Sequence, residues 1–104
     1  MTETEYEAKL AEFKLKADEL EIREAILVAK TDAQNASHRA LVANYDLALQ
    51  ARDQAAISEY MVAVEKLREK EIETQKLLAA VRAEYDELER TRPRRPRRRW
   101  FGFK

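Results

Sequence analysis

Seven basic side chains and three large aromatic ones are crowded into residues 91–104, with no acid among them. They are Arg92, Arg94, Arg95, Arg97, Arg98, Arg99 and Lys104, with Trp100, Phe101 and Phe103 following the arginine run. The arginine fork grips phosphate or carboxylate through two parallel N–H donors and stacks on flat rings, whereas lysine offers a point charge. Aromatic rings beside such a run add stacking on nucleic-acid bases or insertion into an apolar pocket. Pro93 and Pro96 stop any helix and bias Arg92 and Arg95 towards extended backbone, so the bases project from a stiffened left-handed segment. Gly102 frees the backbone between the rings. The chemistry this segment can do is recognition of an anion.

The rest of the chain offers little else that could react. Glu65 with Glu69, and Glu69 with Glu73, stand at helical i,i+4 spacing, but acid–base chemistry needs carboxylates held in a dry pocket and nothing apolar surrounds these. His38 is the single histidine, without a second ligand at metal-binding spacing, and reads as a surface or capping residue. One glycine cannot build a phosphate-cradling loop, and zero cysteines exclude thiolate metal sites, thiol nucleophiles and disulfides. The expectation is a non-enzyme with no catalytic residue, no metal and no cofactor.

Charge divides the chain in two. Residues 1–90 carry all 20 acids and 13 bases, a net of −7, and residues 91–104 carry +7, so the formal net charge of zero hides an acidic body with a basic tail. Such asymmetry points to an anionic partner for the tail. Met1 to Glu5 is acidic where a secretory leader is basic, and no apolar run approaches the roughly 18 residues of a spanning helix. The chain is therefore expected in the cytoplasm or within a virus particle, neither secreted nor membrane-spanning.

The elements that must position the tail are helices. From Thr2 to Arg90 there is neither Gly nor Pro, and Ala, Leu, Glu, Lys, Arg and Gln dominate, the best helix formers. Thr2 with Glu5, and Thr4 with Glu7, fit a capping box at the start. Glu5 with Lys9, Glu12 with Lys16 and Glu19 with Arg23 are i,i+4 pairs that mark a solvent side. Tyr6, Leu10, Phe13, Ala17, Leu20 and Leu27 follow a seven-residue period, interrupted by Glu24. A second stripe runs through Leu15, Ile22, Ile26, Ala29, Ala33, Ala36, Ala40 and Ala43, which implies two packing neighbours for one helix. Downstream, Tyr60, Val64, Leu67, Leu78, Val81, Tyr85 and Leu88 form a heptad seam interrupted by Glu71 and Thr74, and Ile57 and Met61 extend it backward.

The chain must turn somewhere. Thr31 to Ser37 is the stretch richest in cap-type residues, and Ser37 could cap a helix starting at His38, so the first expected corner lies at 31–37. A second possible corner is Gln50-Ala51-Arg52-Asp53; both corners together would give three helices, and neither would give a rod. With the first corner alone, the second helix runs about 50 residues and about 75 Å, outreaching the first and leaving the seam up to Leu88 for another chain. Self-association follows as an expectation.

Two resemblances bear on this segment and on the whole. Ala56, Tyr60 and Ala63 have the small, aromatic, small spacing of the second helix of a tetratricopeptide repeat, and 53–67 resembles that helix. The likeness covers one repeat of about 30 residues, while Ala40, Asn44 and Arg68 replace the repeat's expected aromatic, Gly and Pro positions, and ordinary helix packing explains the same residues. In architecture alone, a helical oligomer with a basic terminal segment looks like small bacteriophage virion or scaffolding proteins, which implies a tail docked on coat protein or packaged DNA.

The expected protein is thus all-α: a helical hairpin or coiled coil with a long second helix at 1–90, followed by an extended basic tail at 91–104. It would self-associate through Tyr60, Val64, Leu67, Leu78, Val81, Tyr85 and Leu88 and present several tails together, since linked tails gain affinity without new contacts. Nucleic acid is the first expected tail partner, an acidic or grooved protein surface the second, and an anionic membrane surface the third. Pro93, Pro96 and Arg98 also fit a PxxPxR groove-binding pattern, although arginines fill its apolar positions.

Overall fold

The computed structural model describes residues 2–95, and they form two helices: α1 (Glu3–Ala51) and α2 (Gln54–Arg90). The helices lie side by side and antiparallel in a single layer, with extents of 86 × 23 × 15 Å. No strand occurs among the described residues. Most of the long dimension follows from α1, whose 49 residues span about 74 Å at 1.5 Å per residue. At its start, Thr2 accepts the Glu5 amide on its hydroxyl at 3.1 Å, and Glu3 and Glu5 stand in the first turn against the positive end of the helix dipole.

The corner is at Arg52 and Asp53, and α1 passes through 31–37 without a break. Asn35, the residue there best able to take the left-handed conformation that ends a helix, stays helical. Thr31 instead turns its hydroxyl back to the Leu27 carbonyl at 2.9 Å, and the Gln34 side chain is buried against α2. At the real corner, Arg52 takes φ 53° and ψ 37°, and the Asp53 amide donates to the Ala48 carbonyl at 3.0 Å. This is the six-to-one bond of a Schellman stop, made here without glycine. Asp53 then caps α2 by accepting the Ala56 amide at 3.1 Å.

Placing the corner there reverses the expected lengths, because α1 has 49 residues and α2 has 37. The seam from Tyr60 to Leu88 is therefore covered by α1 of the same chain. Leu78 and Val81 are buried, and Tyr60, Val64, Leu67, Tyr85 and Leu88 are half-buried. An uncovered stretch of α2 as the reason for self-association is overturned.

The heptad rows continue along α1, adding Thr31, Gln34, Leu41, Tyr45 and Ala48 to the stripe expected from Tyr6 to Leu27, with the exposed His38 interrupting it between Gln34 and Leu41. Near the turn, Tyr45 and Tyr60 stack with ring centres 4.2 Å apart. Tyr60 is thus a hairpin contact, and the Ala56, Tyr60, Ala63 spacing belongs to ordinary packing of one helix pair. Midway, a polar layer interrupts the apolar seam. The Gln34 amide nitrogen donates to the Thr74 hydroxyl at 2.9 Å, Thr74 donates to the Lys70 carbonyl at 2.9 Å, and Gln75 reaches Thr31 at 3.3 Å. Gln34 Oε1 is buried with no hydrogen-bond partner.

Two stability changes follow. Arg52→Gly should raise the unfolding free energy by about 1 kcal/mol, since glycine removes the Cβ clash of the left-handed turn at some entropic cost. Gln34→Leu should add roughly 1 to 2 kcal/mol by deleting an unsatisfied buried acceptor. Urea unfolding followed by circular dichroism measures both, and a loss of stability in either variant contradicts the corresponding assignment.

Candidate functional site

The tail leaves the hairpin at the end where α1 begins. Thr91 closes α2, its amide and hydroxyl both donating to the Leu88 carbonyl, at 3.0 and 2.8 Å. Pro93 prevents a further turn, and the chain continues beyond α2 along the first turns of α1. Here Phe13 and Tyr6 still occupy the inward row of α1, but α2 has ended. The tail takes the place of the missing helix: the Arg92 guanidinium lies 5.2 Å from the centre of the Phe13 ring, and that of Arg95 lies 6.0 Å from the centre of the Tyr6 ring.

Arg92 is held twice, because its Nε also stands 3.2 Å from Glu89. The Glu89 pair faces solvent, but the Phe13 ring under Arg92 is itself buried, 7% exposed. A cation over an aromatic face is worth about 0.5 to 1 kcal/mol at exposed sites, and an exposed ion pair about 0 to 1. Arg92 is therefore part of the cover over Phe13, and Arg95 over the half-buried Tyr6 is the looser contact. Arg94 is exposed and belongs to no ion pair among the described residues. Of the expected tail residues, the structure brings Arg92, Arg94 and Arg95 to this end of the hairpin, while Arg97, Arg98, Arg99, Trp100, Phe101, Phe103 and Lys104 lie outside the described residues.

Tyr6 and Phe13 are the residues that sequence reasoning missed as part of this site. Their signal was present: two aromatics seven apart, at the end of a stripe whose partner helix stops short. Phe13 is buried and Tyr6 half-buried although α2 stops short of them, with arginines of the tail over both rings.

The remaining surface is solvated. Arg23 bridges Glu19 at 2.9 Å and Glu84 at 3.2 Å, and this lattice rims an open groove of about 510 Å³ over Leu20 and Leu88. Among the described residues no cluster of His, Asp and Glu could hold a metal ion, and no helix is long and apolar enough to cross a membrane. His38 is exposed in the middle of α1, far from either helix end, and so caps nothing.

Because Arg92 covers a buried ring and also pairs with an exposed carboxylate, Arg92→Ala should lower stability by about 1 to 2 kcal/mol. Thermal unfolding measures this, and a loss above about 2 kcal/mol would show that the tail is integral to the fold. Compared with protein-family models, with curated proteins and with solved structures, the chain matches none.

Proposed function

We propose that the chain is a non-enzymatic helical assembly protein, self-associating, whose arginine-rich and aromatic tail binds nucleic acid, in the manner of a virion or nucleoprotein component. The observation that supports this reading is the segregation of charge. A body of −7 forms a rod, and the segment of +7 begins where the rod ends. Rigid helices with solvated faces suit a spacer, and arginines beside stacking rings suit phosphates and bases. The fit is to a polyanion in general, since base-edge readout needs side chains held in a groove, and this segment carries forks and rings on extended backbone.

Salt dependence tests the reading. Each phosphate neutralised on duplex contributes about −0.9 to the slope of log affinity against log salt, so seven bases give at most about −6 per tail. Arg97→Ala, Arg98→Ala and Arg99→Ala combined should flatten that slope by at most about 3, and a chain ending at Thr91 should lose binding. Changing Trp100, Phe101 and Phe103 to Ala should weaken binding at least tenfold, about 1.4 kcal/mol, with the slope nearly unchanged, because stacking carries no counterions. Trp100 is the single tryptophan, so its emission reports the site. Quenching on single-stranded nucleic acid is the expected result. A salt-independent interaction with a blue shift on an acidic protein favours the scaffolding reading, in which the tail docks in a groove of a partner such as a coat protein. A blue shift on anionic vesicles alone favours a membrane surface.

A further inference from the structure

The outer face of α1 remains unpartnered, opposite the one that packs on α2. Leu15, Ile22, Ile26 and Leu47 are 72%, 61%, 62% and 62% exposed there. Between Ile26 and Leu47 the same three-and-four spacing is filled by Ala29, Ala33, Ala36, Ala40 and Ala43, all exposed. From Ile22 to Leu47 this is a second unbroken heptad seam, and a single helix pair has no use for it.

We infer that two copies of the chain associate through this face, antiparallel, about a two-fold axis between residues 34 and 35. The self-complementarity of the stripe argues for a second copy over another partner. Folding the stripe about that point sets Ala33 against Ala36 of the second copy, Ala29 against Ala40, Ile26 against Ala43 and Ile22 against Leu47. Small faces small at the centre, Ile26 meets the small Ala43 next, and large faces large at Ile22 and Leu47. Glu19 against Gln50 closes the apolar run.

The charges beside the stripe agree. Asp32 lies opposite Arg39 of the second copy, twice by symmetry, and neither residue forms an ion pair within the chain among the described residues. On the other flank, Lys30 faces Ser37 and Arg23 faces Asn44. The like-charged opposition of Asp18 and Asp53 falls at the solvated rim. A parallel pairing would instead rely on Asp18 with Arg23, and Arg23 is already held by Glu19 and Glu84. Antiparallel helices also oppose their dipoles. The tails then leave from opposite ends of the dimer, about 65 Å apart along α1 at 1.5 Å per residue. This inference stands on α1 alone and does not depend on what the tail binds.

The test uses the full chain without nucleic acid. One helix resting on one helix is a small interface, so dissociation near about 10 µM is expected, with sedimentation at about 100 µM showing mostly dimer. Ala36→Glu should weaken the dimer at least tenfold while helicity by circular dichroism is unchanged, which separates dissociation from unfolding. Asp32→Arg should weaken it too, and adding Arg39→Asp should restore it. Orientation is read by cross-linking, because the chain has no cysteine of its own. A mixture of Ala29→Cys and Ala40→Cys chains should form a mixed disulfide on oxidation, while each alone should not, since like positions then stand about 16 Å apart along the axis. A monomer at about 100 µM, a dimer indifferent to Ala36→Glu, or either cysteine variant cross-linking efficiently to itself would overturn the proposal.

Discussion

The left-handed turn at Arg52 decides which side chains of this molecule meet. With no Gly or Pro between Thr2 and Arg90, the chain has almost no means of reversing, and wherever it does reverse, every pairing between its halves is fixed at once. The reversal at 52 and 53 puts Tyr45 on Tyr60, Gln34 on Thr74 and Arg23 on Glu84. A corner one heptad away would preserve the apolar character of both faces but would separate these particular partners. Asp53 supports the corner from the other side by starting α2 at once, so no slack remains for the helices to slide. The polar layer at Gln34 and Thr74 then acts as a register mark, as a buried polar residue does in other coiled coils, and its cost is the unpartnered oxygen of Gln34.

The helical character and the existence of a hairpin were legible in the sequence, and the place of the corner was not given its due weight. Thr31, Asp32, Asn35 and Ser37 favour caps when considered singly, and together they look like a loop. Their spacing is that of a continuous helix, with Thr31 and Gln34 on the inner row and Ala33 and Ala36 on the outer one. Local preference was outweighed by what a corner at 52 and 53 buries, because only that corner lets two helices of similar length cover each other. A left-handed arginine leaves no compositional trace comparable to glycine, which is why Gln50 to Asp53 stood second. At the candidate site, the arginines and aromatics of the tail were legible from their types alone. Their seat on Phe13 and Tyr6 was not, because it depends on α2 ending before α1 does.

A hairpin of two helices has a thin core. Its buried apolar side chains among the described residues are Phe13, Leu20, Ala48, Leu78 and Val81, and each helix touches the other along one stripe only. Isolated helices are marginal in water and small single-layer structures bury too little surface to be stable with a wide margin. The exposed Ile22, Ile26 and Leu47 matter in this light. Covering a second face of α1 would add burial in the middle of the longest element, and the alanines there permit close approach with little side-chain entropy to lose. The proposed self-association would thus be tied to stability through α1, the helix that exceeds its partner in length, and not through the seam of α2 that the sequence first suggested.

The direction of that association bears on what the tails can do. Tails emerging side by side would concentrate fourteen basic groups at one point, with repulsion opposing assembly at low salt and a single polyanion segment as the natural target. Tails at opposite ends of an antiparallel dimer avoid each other beyond several Debye lengths, and the acidic helices between them keep the polyanion away from the middle. Such a particle is suited to bridging two anionic segments, or two distant points on one, and not to coating a short stretch. The separation along α1, about 65 Å, corresponds to roughly 19 base pairs at 3.4 Å each, beyond which a stiff duplex must bend little to engage both ends. Avidity would then depend on the spacing of anionic sites more than on their density, because a rod with short tails cannot bring both ends to one point.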